Sequence, residues 1–113
     1  MNSQQLADRL AELAGWYPNE SRWTREVPQG WDHTPPHVHP FPVGSLDALE
    51  RWRGENLPGW EFWAIYGPIP ESSEWSVTIG SDPSKSGIVV GGPTEWDARA
   101  AALVAAKEQE MKK

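Results

Sequence analysis

The chain has 113 residues, a net charge of −6, no cysteine, eight tryptophans and eleven prolines. A chain of this length holds one domain and buries between ~60% and ~70% of its unfolded surface. The missing cysteines exclude disulfides, thiolate nucleophiles and cysteine-ligated zinc. The acidic balance argues against duplex nucleic acid, whose phosphates attract basic surfaces.

Leu6, Leu10 and Leu13 recur at helical spacing and predict an opening amphipathic helix over roughly residues 3–14. Ser3 is its candidate N-cap and Gly15 its stop. Residues Ser21 to Val27 alternate weakly and predict an edge strand with Trp23, Arg25 and Val27 on one side. From Pro28 to Gly44 the prolines Pro28, Pro35, Pro36, Pro40 and Pro42 favour extended backbone. That stretch reads as a Pro/His-rich loop over 28–44, anchored by Trp31, Val38 and Phe41.

Ser45 caps a second predicted helix, with Asp47 in its first turn and Leu46, Leu49 and Trp52 as its stripe. Gly54 is read as its end. Residues Trp60 to Tyr66 read as a strand apolar on both faces, hence covered on both. Residues Glu74 to Gly80 alternate, with Trp75, Val77 and Ile79 inward, and Gly87 to Val90 give a third strand. A closing helix follows Pro93-Thr94, with Thr94 and Asp97 as a capping pair and alanines along its length. Its charged end, Lys107 to Lys113, is expected to fray. The fold class is therefore α+β: a small antiparallel sheet of three to four strands sandwiched by helices, in αβαβββα order.

The polar start, Met1 to Gln5, lacks the basic-then-apolar layout of a signal peptide. The longest apolar run, Ala100 to Ala106, is far shorter than the ~20 residues of a membrane span. No membrane partner is expected.

Several of these features together resemble the phage ABA sandwich domain family of small proteins from tailed phages and prophages. They are the opening helix ending in Gly15-Trp16, the Trp- and Pro-rich middle, and the run PVGSLDAL from Pro42 to Leu49. Gly59-Trp60 opening a strand and the Ala-rich helix after Pro93-Thr94 complete the likeness. The resemblance implies a helix–sheet–helix sandwich and a viral accessory gene acting in the cytoplasm of an infected bacterium. It implies no catalytic residues. The histidines His33, His37 and His39 are not part of it.

Those histidines, beside Asp32, are the one candidate for metal chemistry, since neutral imidazoles bind zinc, nickel and copper. Their spacing matches no established zinc motif, and the alternative is a solvent-facing loop. Ligand binding has a second set of candidates. Trp23 lies between Arg22 and Arg25, and Trp52 between Arg51 and Arg53. Aromatic faces stack on bases and arginines hold phosphates. Trp23 and Trp31 sit in weakly structured segments and are expected to be the most exposed tryptophans. Trp60, Trp63, Trp75 and Trp96 read as core, and Trp52 completes the stripe of its own helix.

Ser81 to Gly87 lacks the glycine before lysine of a phosphate loop and reads as a hairpin connection. Glu71 with Glu74, and Asp47 with Glu50, read as solvated charges. No nucleophile motif is present, so catalysis is the second reading and no cofactor is required. The expected function is a phage accessory binding protein that counters a host defence process. It does so by sequestering a small nucleotide-type signal or by capping a host protein, with oligomers as a means of building pockets. The alternatives are a metal-dependent hydrolase or nuclease using the histidine loop, and a virion or morphogenesis component.

Overall fold

The computed structural model describes residues 1–112. Its elements in chain order are α1 (Ser3–Leu13), β1 (Tyr17–Asn19), β2 (Arg22–Val27), β3 (Gly30–His33) and α2 (Leu46–Asn56). Then come β4 (Glu61–Tyr66), β5 (Trp75–Gly80), β6 (Ile88–Gly92) and α3 (Glu95–Met111). The fold is α+β, with helices packed on antiparallel sheet. The strands divide into two three-stranded sheets, ordered β1-β2-β3 and β4-β5-β6.

The apolar stripe of α1 is the one the leucine spacing demands: Leu6, Ala7, Leu10 and Ala11 are buried. The N-cap is Asn2 rather than Ser3, because Asn2 and Gln5 form a reciprocal capping box. Ser3 is thereby freed to donate its hydroxyl to Asp97 on α3. At the other end Gly15 takes a left-handed φ of 90°. The Trp16 N–H then reaches back to Ala11 O at 2.9 Å and the Gly15 N–H to Glu12 O at 3.0 Å.

The first sheet is larger than the sequence pattern indicates. β2 is its middle strand, not an edge, pairing with β1 from Tyr17 opposite Thr24 and with β3 from Thr24 opposite His33. β1 holds only three residues, one of them Pro18, so its period-two signal is invisible. β3 occupies Gly30–His33, so the 28–44 loop in fact starts after a hairpin. Pro28 and Gln29 are the turn, and Gly30 at φ 140° supplies the backbone that a side chain disfavours.

Ser45 caps α2 by accepting from the Ala48 N–H, and Asp47 sits in the first turn. Gly54 does not end this helix. The helix runs on to Asn56, and the Leu57 N–H closes it on Arg53 O at 2.8 Å. Glycine weakens a helix interior by only about 1 kcal/mol, which burial of Trp52 and Leu57 outweighs.

In the second sheet Trp75 is half-buried against the core, while Val77 and Ile79 point fully inward as their alternation predicts. β4 departs from alternation. A bulge between Phe62 and Ala64 brings Ile65 to the helix side with Phe62, while Trp63 points outward. Trp63 is 40% exposed, and Tyr66 and Val89 are also exposed. The outer face of this sheet is therefore uncovered, and Trp63 is not core. Trp60 and Trp96 are core, and Trp52 is fully buried.

Helix α3 is the shared element. It packs on β5 and β6 and also meets α1 and α2. Thr94 caps it by accepting from the Asp97 N–H at 3.1 Å. Alanines 98, 100, 102 and 106 are fully buried and let the sheet and helices approach closely. The helix does not fray from Lys107. It continues to Met111, held by Lys107 Nζ donating to Asn56 O and Trp60 Nε1 donating to Glu110. Lys113 lies outside the described residues. Among the described residues no helix is long and apolar enough to cross a membrane.

Candidate functional site

The β1–β2 turn and the loop after β3 fold against each other. Thr34 fixes the start of that loop: its Oγ1 accepts the Trp23 N–H and its own N–H donates to Trp23 O, both at 2.9 Å. Further along, the His37 N–H donates to Ser21 O at 2.6 Å. His39 then stacks on Trp23, with ring centroids 4.9 Å apart and planes tilted by 58°.

His39 is held by two more bonds. The Phe41 N–H donates to its Nδ1, and its Nε2 bonds Asp8 Oδ1 on α1, both at 2.9 Å. A backbone N–H can only donate, so Nδ1 is the acceptor and Nε2 carries the proton. Phe41 is itself buried in the core. The loop is thus tied to the sheet, to α1 and to the core at successive residues.

This packing leaves a cleft of about 370 Å³ lined by Gln4, Glu20, Arg22, Trp23, His37 and His39, among others. Among the described residues, the two non-glycine residues with left-handed backbone, Glu20 (φ 58°) and His37 (φ 61°), both line it. Such conformations cost about 1–3 kcal/mol each and persist where surrounding structure enforces them. Here the His37–Ser21 backbone bond does so.

The arginines differ in what they already hold. Arg9, Arg25, Arg53 and Arg99 each pair with a carboxylate. Among the described residues, no carboxylate lies within pairing distance of Arg22 or Arg51. Arg22 lines the cleft; Arg51 is exposed on α2. An unpaired guanidinium, the exposed His37 imidazole and the Trp23 indole form a set suited to an anion carrying a planar group.

The other anticipated binding residues lie elsewhere. Arg25 bonds Asp32 at 3.0 Å and rests over the Trp16 ring at 4.7 Å, which makes it a bracing residue. Trp31 is 56% exposed outside the cleft, edge-on to Tyr17 at 6.5 Å. Arg53 bonds Glu50 and donates to Trp60 O. Its pKa is raised above the usual value chiefly by the Glu50 hydrogen bond. It is occupied in holding α2 to β4.

The three histidines are not brought together. His33 is on β3 with Nδ1 at 3.0 Å from Thr24 Oγ1, while both nitrogens of His39 are engaged. Among the described residues, no three histidine, aspartate or glutamate side chains are grouped as metal ligands. A metal at His39 would have to break either the Asp8 or the Phe41 bond.

Gln4, Glu20, Ser21 and Val38 also line the cleft and carry no sequence signal. They arrive through the turn, the left-handed residues and the docking of α1, none of which has a period to read. The chain matches no family model, no curated protein and no solved structure.

Proposed function

We propose that this is a phage accessory binding protein of the ABA sandwich kind, sequestering a small nucleotide-type signal in the cleft beside Trp23. The observation that carries this reading is the unpaired Arg22 beside the Trp23–His39 stack and the exposed His37. A phosphate would sit against Arg22 and His37, and a base would lie along the Trp23 edge of the cleft. In an infected bacterium's cytoplasm, such trapping would withhold the signal from a host defence process.

Calorimetric titration with a panel of cyclic di- and oligonucleotides is the direct test. Binding by the parent chain, weakened about tenfold or more in Arg22→Ala but unchanged in Arg51→Ala, is the expected result. No heat with any member of the panel removes the nucleotide reading.

A second reading is capping of a host protein. The exposed Tyr17–Trp31 pair favours it, because exposed aromatic rings recur at the centres of protein interfaces. A pull-down from host lysate that depends on Trp31 but not on Arg22 would select it over the first.

A further inference from the structure

The two sheets have four edge strands, and three carry features that block further pairing. β1 is three residues long and contains Pro18, which has no N–H to offer. β3 is four residues long and carries Asp32 and His33. β4 begins at Glu61 and is kinked by the bulge at Trp63. Short length, proline, charge and bulges are the usual means of protecting an edge.

β6 has none of them. Its five residues, Ile88-Val89-Val90-Gly91-Gly92, are uncharged, free of proline and paired in unbroken register with β5. Among the described residues, no other backbone or side-chain hydrogen bond reaches it. Val89 is 66% exposed on the outer face. Beside the strand, on its helix side, runs a groove of about 350 Å³ lined by Leu6, Gly92, Pro93, Ala101, Val104 and Ala105.

We propose that β6 is an interface strand, and that a second copy of this chain adds to it antiparallel about Val90. The strand is self-complementary in size. Antiparallel pairing centred on Val90 sets Ile88 against the second copy's Gly92 and Val89 against its Gly91. Ile88 and Val89 then each face a glycine, Val90 meets its own counterpart on the axis, and the same holds in reverse, as a two-fold interface requires. The second copy's Ile88, on the helix side, is carried over the groove between Gly92 and α3. Its Val89 extends the uncovered outer face. The result is one continuous six-stranded sheet. A foreign strand would satisfy the backbone equally well, but the second copy is the strand whose own sequence sets a glycine opposite both Ile88 and Val89.

Five paired residues and two shallow grooves make a contact at or below about 1,200 Å², the low end of specific interfaces. The dimer is therefore reversible and concentration-dependent. Sedimentation velocity on the full chain from about 1 μM to about 1 mM should show the mass rising toward twice the monomer. Val89→Lys, which touches no core residue, should raise the dissociation constant about tenfold or more. Val43→Lys, exposed in the loop before α2 and outside the groove beside β6, should leave it unchanged. Amide exchange at residues 88–92 should slow as concentration rises. A chain that stays monomeric throughout, or a dimer indifferent to Val89→Lys, overturns the proposal. So does exchange at β6 that ignores concentration.

Discussion

Asp8 on α1 and His39 in the proline-rich loop, 31 residues apart in sequence, are joined by a 2.9 Å hydrogen bond. With the Phe41 N–H on the other nitrogen and Trp23 on its face, His39 is the pin that holds one wall of the cleft. His39→Ala removes all three contacts and should cost about 1–3 kcal/mol in chemical denaturation. Asp8→Asn should cost about 1 kcal/mol or less, since Asp8 is partly solvated. Equal losses in the two variants would mean that the Phe41 bond and the Trp23 stack contribute nothing.

That pin also marks where sequence reading stops. Periodicity locates α1, α2, α3 and β5, because each buries one continuous face. It misses β1 and β3, which are too short for a period and are interrupted by proline or glycine. It misassigns Trp63 because an apolar outer face reads as a covered one, and it misplaces Ile65 because a bulge shifts the alternation after Phe62 by one residue. The cleft was half legible. Arg22, Trp23, His37 and His39 stand out by residue type, but their meeting depends on two backbone bonds from the loop to Trp23 and Ser21 and on α1. The use of Arg25 and Arg53 as structural braces could not be read from an Arg-Trp pattern, because their partners Asp32 and Glu50 are set by pairing and helix geometry.

Trp52 should be the most sensitive tryptophan. It is fully buried, and its Nε1 donates to Leu10 O at 2.8 Å, locking α2 onto α1. Trp52→Phe deletes the donor and leaves space beside Leu49 and Leu10. The expected loss is about 2–4 kcal/mol from the unmade bond and the cavity together. Trp31→Phe, on an exposed ring, should fall within about 0.5 kcal/mol of the parent. Thermal melting of the two variants side by side checks the contrast, and a Trp52→Phe variant as stable as Trp31→Phe would refute it.

The Asp82 carboxylate accepts from the Ser84 N–H at 2.9 Å and from the Ser84 hydroxyl at 2.8 Å. Those two bonds hold its pKa below the usual carboxylate value, the backbone bond first and the hydroxyl second. A depressed pKa means that folding favours the ionised form. The turn is therefore intact above the ordinary carboxylate range and loosens as pH falls through the lowered value. Ser84→Ala removes the hydroxyl bond only, so the titration of Asp82 should move upward while staying below that of a free aspartate. Carboxyl carbon NMR across an acid titration reads this directly, and an unmoved midpoint in Ser84→Ala would assign the whole shift to the backbone N–H.

Trp63 and Gly80 should prove strongly coupled. The bulge sends the Trp63 indole across the outer face of the second sheet, where it lies over Gly80 and against Gly87. A Cβ added at Gly80 would collide with the indole, and Gly80 itself is buried beneath it. Gly80→Ala should therefore cost about 1–3 kcal/mol through overpacking and displacement of the ring. Trp63→Ala should cost less than burial of a whole indole implies, because the ring is half in solvent. In the double variant the collision no longer exists, so the Gly80→Ala penalty should largely vanish. A double-mutant cycle by chemical denaturation tests this, with a coupling of about 1 kcal/mol or more expected. Additive losses would show that Gly80 is required by the strand's backbone and not by the ring above it.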